Sequence, residues 1–369
     1  MEPACLRAIL ARTPGLLARH VRACLTEHQP AGVALPDNLA AQLLARGLPA
    51  RARSWLERPD HRLIDSDLRW IADHDGEILC CVDAPFPPTL ARWGAAPASL
   101  YVRGNARLLL TAPLCMVGSR QPTPAGLLTA RGFAQELARA GLAIAGALAD
   151  GIPAAAHAGA LDACGASIGV CAAGLDRIQP ARHAELAARL HTQGALISVF
   201  APGTPTRRHH FAIRNRLLGA LGTGLLAVEA AAGDGAPSSV AQARRLKRPV
   251  FAIPGAIRDP AAHTCNQLIR AGASLVTQPG EILRELGFST TNQDIRQPDL
   301  AAEVPGAQPS PLDNKYEMLL DAAGFEPVDI DALVFRTGWT GHEVASMLLL
   351  LELQGRVAPQ PGGRYCRLS

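Results

Sequence analysis

Lysine is almost missing from this 369-residue chain: of 36 basic residues only Lys247 and Lys315 are lysine, and the rest of the positive charge is arginine. Guanidinium suits bidentate contact with phosphate, although a compositional bias towards arginine and alanine gives the same count. Neither lysine follows a glycine, so the Gly-Lys-Ser/Thr of a nucleotide-hydrolysing P-loop is absent. No uninterrupted apolar run approaches the roughly 18 residues that a bilayer span demands, which argues against a membrane protein. The opening MEPACLRAILARTPG lacks a basic stretch, a clean apolar stretch and a small-residue cleavage site, so no export is expected. The nine cysteines are odd in number and show no C-x2-C spacing. This argues against a zinc ribbon, a thioredoxin-like centre or a disulfide framework and fits a reducing cytoplasm.

The net charge of +4 points to no partner class, but its distribution does. Residues 206–216, TRRHHFAIRNR, hold Arg207, Arg208, Arg214 and Arg216 with no acid, a local excess equal to that of the whole chain. The length fits two or three domains at about 150 residues each. Residues 1–78 read as a small accessory domain of short helices, punctuated by Pro14-Gly15, Pro30, Pro36 and Pro49. Within 79–288, apolar runs at 114–118, 142–146, 167–171, 196–200, 225–229, 249–253 and 273–277 alternate with helix-length connections. Runs without polar alternation predict a parallel sheet buried on both faces, a doubly wound α/β domain. Its ligand is expected beyond the carboxyl ends of the strands. Residues 289–312 read as a linker, and 313–369 as three helices and a hairpin, a winged helix in which Thr340 and Glu343 form a capping box.

Three strand-to-helix loops carry candidate chemistry. In VGSRQPTPAG (117–126), Thr123 and Pro124 start a helix whose free amides, with Gly118, Ser119 and Arg120 ahead, would bind an anion; otherwise Arg120 is a surface residue on a tight turn. Arg120 also stands where a dinucleotide fingerprint needs its second glycine, and G-x-G-x-x-G occurs nowhere else. In AGALADGIPAAAH, Gly146 and Gly151 permit close backbone approach, and His157 is either an acid/base group or, more simply, a packing residue. In the third loop, Arg207 and Arg208 precede a helix expected near Phe211, with Arg214 and Arg216 in its first turns. Positive charge there opposes the helix dipole unless an anion sits in front. Phe211 offers a stacking face for a base, or anchors the helix in the core.

In order and spacing, PFPPTL, LYVRGN, VGSRQPTPAG, AGALADGIPAAAH, PGT, HFAIRNR, VEA, VFAIPG and CNQLIRAGA make the chain resemble the DNA-processing protein A (DprA/Smf) family over nearly its whole length. The C-terminal LELQGRV and PGGRYCRL fit as well. The resemblance implies a Rossmann-like core and a single-stranded-DNA-binding protein of natural transformation. Such a protein protects incoming strands and helps load RecA recombinase, without catalysis, cofactor or metal. It also implies a homodimer through the Rossmann-like domain, and DNA contacts at Gly118, Ser119, Arg120, Arg208, Phe211, Arg214, Asn215 and Arg216. Pro153 stands where the family has aspartate, and GAPSSVAQA around Ser238 departs from the family's Ser-Gly-Ser-Leu-Ile-Thr-Ala run.

Two other readings compete. A Rossmann-like nucleotide phosphoribohydrolase would show PGGxGT followed by paired glutamates, but the PGG at 361–363 lies in the wing and the PGT at 202–204 leads into Pro205 and arginines. A duplex-binding regulator would use the winged helix. Its presumed recognition helix, 341–354, holds His342, Glu343 and Glu352 and no basic residue, leaving Arg356, Arg364 and Arg367 to the wing.

Overall fold

The computed structural model describes residues 3–25, 35–36, 38–230, 236–288, 311–353 and 355–368. Most of the linker expected at 289–312 therefore lies outside the described residues. Two compact units divide the chain, residues 1–290 and 291–369.

The first unit opens with short helices α1 (Pro3–Arg12), α2 (Ala18–Arg22), α3 (Leu39–Leu44), α4 (Ala50–Glu57) and α5 (His61–Asp73). Strands β1 (Gly76–Cys80), β2 (Ser99–Gly104) and β3 (Leu114–Gly118) follow, and then α6 (Pro124–Arg139), β4 (Ile144–Ala147), α7 (Ile152–Asp162), β5 (Ser167–Val170) and α8 (Ala184–Gln193). The remainder is β6 (Ala195–Ser198), α9 (Arg208–Leu221), β7 (Gly224–Val228), α10 (Ala236–Arg245), β8 (Val250–Ala252), α11 (His263–Arg270), β9 (Ser274–Leu275) and α12 (Pro279–Glu285). The sheet runs β1-β2-β6-β5-β4-β3-β7-β8-β9, with every pair from β6 to β9 parallel and β1 and β2 added antiparallel at one edge. The α/β class and the seven strands expected from apolar runs are all present.

The lack of polar alternation in those runs has a direct cause. Leu114 and Met116 of β3 face a core shared with α6, α7 and α12, while Cys115 and Val117 face a second core shared with α9 and α10. Successive side chains point to opposite faces and neither face meets water. The second core also takes in Leu6, Ile9 and Leu10 of α1 and Ile64 of α5, so the N-terminal helices and the sheet share one apolar cluster. Polar bonds reinforce the join. Arg12 donates twice to the fully buried Asp67 (2.7 and 2.6 Å), which also accepts from the Tyr101 hydroxyl at 2.9 Å, and Arg12 reaches the Pro202 carbonyl at 3.2 Å.

The second unit comprises α13 (Pro311–Ala323), β10 (Val328–Asp329), α14 (Ile330–Thr337), α15 (Gly341–Leu353), β11 (Val357–Gln360) and β12 (Arg364–Arg367). Its antiparallel sheet is ordered β10-β12-β11, and Leu319, Leu320, Leu333, Val344, Leu348, Leu351 and Val357 form its core. This is a winged helix. The capping box is made: Thr340 N donates to Glu343 Oε2 (3.0 Å) and Glu343 N to Thr340 Oγ1 (3.3 Å).

Candidate nucleic-acid interface

Strand β3 is central, with β4 on one side and β7 on the other. Strand order reverses there, and the loops leaving the carboxyl ends diverge to opposite faces. The turn after β3 is tightly built. A Cβ at Gly118 would overlap the Val228 carbonyl oxygen, and one at Gly151, where φ is +74°, would overlap the Ser119 carbonyl oxygen. Ser119 donates its N–H to the Glu229 carbonyl (2.6 Å), accepts the Ile152 N–H at 3.0 Å, and receives the Gln121 N–H on its hydroxyl at 3.1 Å. It is thereby committed inside the protein.

The start of α6 differs from the free anion site its sequence suggests. The Glu229 carboxylate, from the end of β7, accepts the Thr123 N–H at 2.8 Å and the Thr123 hydroxyl, which in turn accepts the Gly126 N–H at 3.0 Å. A Cβ at Gly126 would overlap that carboxylate. The chain supplies its own anion to the positive end of the helix. Burial pushes the Glu229 pKa up, and the Thr123 bonds pull against that shift.

Anion-binding capacity lies instead on the α9 side of the sheet. A cavity of about 530 Å³ opens beyond the carboxyl ends of β3, β4 and β5, bordered by Gly118, Arg120, Arg208, Phe211, Arg214 and Asn215. Helix α9 begins at Arg208, three residues earlier than the sequence suggested, so Arg207 is its N-cap and Arg208 its first residue. Arg214, six residues further along the helix, is only 7% exposed. Its Nε donates to Asn215 Oδ1 at 2.8 Å, and its guanidinium lies 5.6 Å from the centre of the Phe211 ring. Burial brings the Arg214 pKa down to about 10, the neighbouring thiol of Cys171 opposing that fall and the charge of Arg120 adding to it. The group therefore stays cationic at neutral pH. Phe211 is 40% exposed, so it presents a face at the opening while contributing to the helix surface.

Among the described residues, no carboxylate forms an ion pair with Arg120, Arg207, Arg208, Arg214 or Arg216. Asp150, which borders the cavity, is held by Arg182 and by His183 at 2.8 Å, and the Arg182 bond leads in drawing its pKa down. Ser119, Gly146, Gly151, Arg207 and Arg216 do not border the cavity. Gly146 packs beneath His157, whose ring would lie 3.0 Å from a Cβ there. His157 itself is fully buried, bonded to Ser167 Oγ (2.8 Å) and the Ala147 carbonyl (3.3 Å), and burial lowers its pKa to about 4. It has the surroundings of a packing residue. One cavity residue gave no sequence signal: the hydroxyl of Thr206, between Pro205 and Arg207, is buried with no hydrogen-bond partner among the described residues. Pro153, at the start of α7, and Ser239, in α10, from the two stretches where the sequence departs from the family pattern, also border the space.

The family model described as DNA recombination-mediator protein A matches residues 77–287, and the DprA winged helix domain matches residues 303–363. The chain belongs to the DNA recombination-mediator protein A family. Protein Smf of Escherichia coli K12 is 38% identical over 315 residues, covering 85% of this chain and 79% of that protein. DNA processing protein DprA of Streptococcus pneumoniae R6 is 34% identical over 207 residues, covering 56% of this chain and 73% of that protein. The X-ray structure of the S. pneumoniae DNA processing protein A superposes with a TM-score of 0.64 at 26% identity, covering 76% of this chain and 96% of that one. DNA processing protein A from Helicobacter pylori, solved for its single-stranded-DNA binding mode, matches in fold with a TM-score of 0.52 at 24% identity, over 57% of this chain and 95% of that one. As in this family, a Rossmann-like sheet and a winged helix occur in one chain.

Proposed function

We propose that this chain binds single-stranded DNA by its sugar-phosphate backbone, through the cavity at the start of α9. The observation that carries this reading is the convergence of Arg120, Arg208 and Arg214 on one nucleotide-sized space without a carboxylate partner among the described residues. Phe211 supplies a surface for a base, worth about 1 to 3 kcal/mol when stacked. Gly118 and Asn215 shape the wall, while Ser119, Gly146 and Gly151 hold the turns that present it, and Arg207 and Arg216 add charge outside it. Membership of the family extends the proposal to protection of incoming DNA in natural transformation and help in loading RecA recombinase, as a homodimer joined through the 79–288 domain in the cytoplasm. The helices of 1–78 act as an accessory domain.

The winged helix enters this scheme as a protein-contacting module. The exposed face of α15 carries His342, Glu343, Ser346, Leu349 and Leu350 and no basic residue. Two of the three wing arginines are engaged, Arg356 with Glu317 (2.8 Å) and Arg367 with Asp321 (2.7 Å).

Titration with single-stranded oligonucleotide tests the reading. If about four phosphates are neutralised, the logarithm of affinity falls against the logarithm of salt with a slope near −3, from about −0.7 per phosphate. Arg120→Ala and Arg214→Ala weaken binding on all sequences alike, because backbone contact carries no base code. A slope near zero, or affinity unmoved by both substitutions, overturns it.

A further inference from the structure

A second cluster of unmatched donors lies at the opposite end of the parallel strands. Leu225 of β7 pairs with both Cys115 of β3 and Val250 of β8, which places the start of β8 at the amino ends of the parallel strands, while the cavity lies past Gly118 at their carboxyl ends. Arg248 stands two residues before Val250. Its Nη2 donates to the Thr89 carbonyl at 3.2 Å. Thr89 belongs to a short 3-10 turn, Pro88–Arg92, that packs against α9. Two more polar atoms at this contact are buried with no partner among the described residues: Arg248 Nε and Thr89 Oγ1, Thr89 being only 7% exposed.

Buried polar atoms in native proteins nearly always have partners, so each of these requires an explanation. Arg248 Nε–H can only donate, and a threonine hydroxyl can donate as well. Arg92 closes the same turn, near enough that its charge, after burial, works against the protonated form of Arg248. Among the described residues no carboxylate pairs with either arginine. Two arginines at this contact, with no carboxylate between them and two idle donors beside them, are accounted for by an oxyanion that accepts from all of them.

We propose that Arg248, Arg92 and Thr89 hold a phosphate group, a second anion site at the amino ends of the strands, opposite the cavity. The phosphate comes either from a polynucleotide continuing past the cavity or from free phosphate; only the first source rests on the function proposed above. Helix α9 joins the two ends, running about 21 Å from Arg208 at the cavity to the far side, at 1.5 Å per residue.

The full-length chain carrying Thr89→Val and Arg92→Gln, neither of which removes the Arg248 bond to the Thr89 carbonyl, is compared with the unsubstituted chain in two arms. In the first, both carry Arg120→Gln and Arg208→Gln to weaken the cavity, and inorganic phosphate is titrated against chloride at equal ionic strength while the unfolding midpoint is followed. Phosphate raises the midpoint of the parent and not of the T89V/R92Q chain. In the second arm the cavity is intact, and oligonucleotides just long enough to saturate it are compared with longer ones. T89V/R92Q leaves the short ones unaffected and weakens the long ones at least fivefold. An effect in both arms, or in the second alone, assigns the site to a polynucleotide phosphate, and an effect in the first alone to free phosphate. No effect in either arm, in a chain whose midpoint in chloride matches its parent, means that water fills the space and overturns the proposal. Arg92→Gln alone, at an exposed position, serves if Thr89→Val lowers that midpoint. Should the unsubstituted chain bind no oligonucleotide of any length, the proposed function fails while the phosphate arm still decides this site.

Discussion

His157 shows how far a single residue can be read from sequence. Its helix and its alanine-rich neighbours were plain, yet whether it reacts or packs depends on Ser167 and Ala147, which only the fold brings to its two ring nitrogens. Burial holds its pKa near 4 against an ordinary 6.5. Because the folded value is the lower one, the stability it confers is complete above pH 6.5 and is lost as pH falls from there towards 4. The shift corresponds to up to about 3 kcal/mol. Urea midpoints at pH 7 and pH 4.5 check this: the wild-type chain loses more stability than His157→Gln by on the order of 2 kcal/mol, and equal losses would place the acid sensitivity elsewhere. Glu229 is the opposite case. The VEA motif is visible, but its carboxylate meets Thr123 from 106 positions away, a pairing with no local signature.

At the level of elements, the strands were legible because burial on both faces leaves an unbroken apolar run, a pattern that survives without knowledge of neighbours. The antiparallel β1 and the two-residue β10 leave no such pattern, one lying at the sheet edge and the other being too short to show a period. The true start of α9 is hidden in the sequence because Arg208, His209 and His210 interrupt the apolar periodicity that marks a helix. That early start sharpens the electrostatic conflict: two arginines sit on the N-cap and first position with no acid in the first turn. Each such charge costs about 0.3 to 1 kcal/mol. Arg208→Glu is therefore expected to raise the thermal midpoint while lowering single-strand affinity more than tenfold. A lowered midpoint with affinity unchanged would show that Arg208 serves stability rather than binding.

For the whole molecule, the order of folded regions could be read from the chain, while the continuity of its core could not. Nothing in residues 1–78 announces that Arg12 will reach Pro202, in the loop that leads to Thr206 and the arginines of α9. Assigning strand binding to the larger unit leads to a direct expectation. A chain ending at residue 288 retains single-strand affinity within tenfold of the intact protein, measured by fluorescence anisotropy. A greater loss, above about 1.4 kcal/mol, would transfer a principal share of binding to the winged helix.

The carboxylate of Glu229 also limits what else this turn can hold. Where relatives of this architecture seat a diphosphate, this chain has installed a covalently attached substitute, held in place by a glycine at 126 that leaves room for nothing larger. Drift towards a nicotinamide- or flavin-dependent activity would first have to evict that glutamate, and would still meet Arg120 where the fingerprint needs its second glycine. The scaffold is thereby insulated against the most common occupation of its own topology.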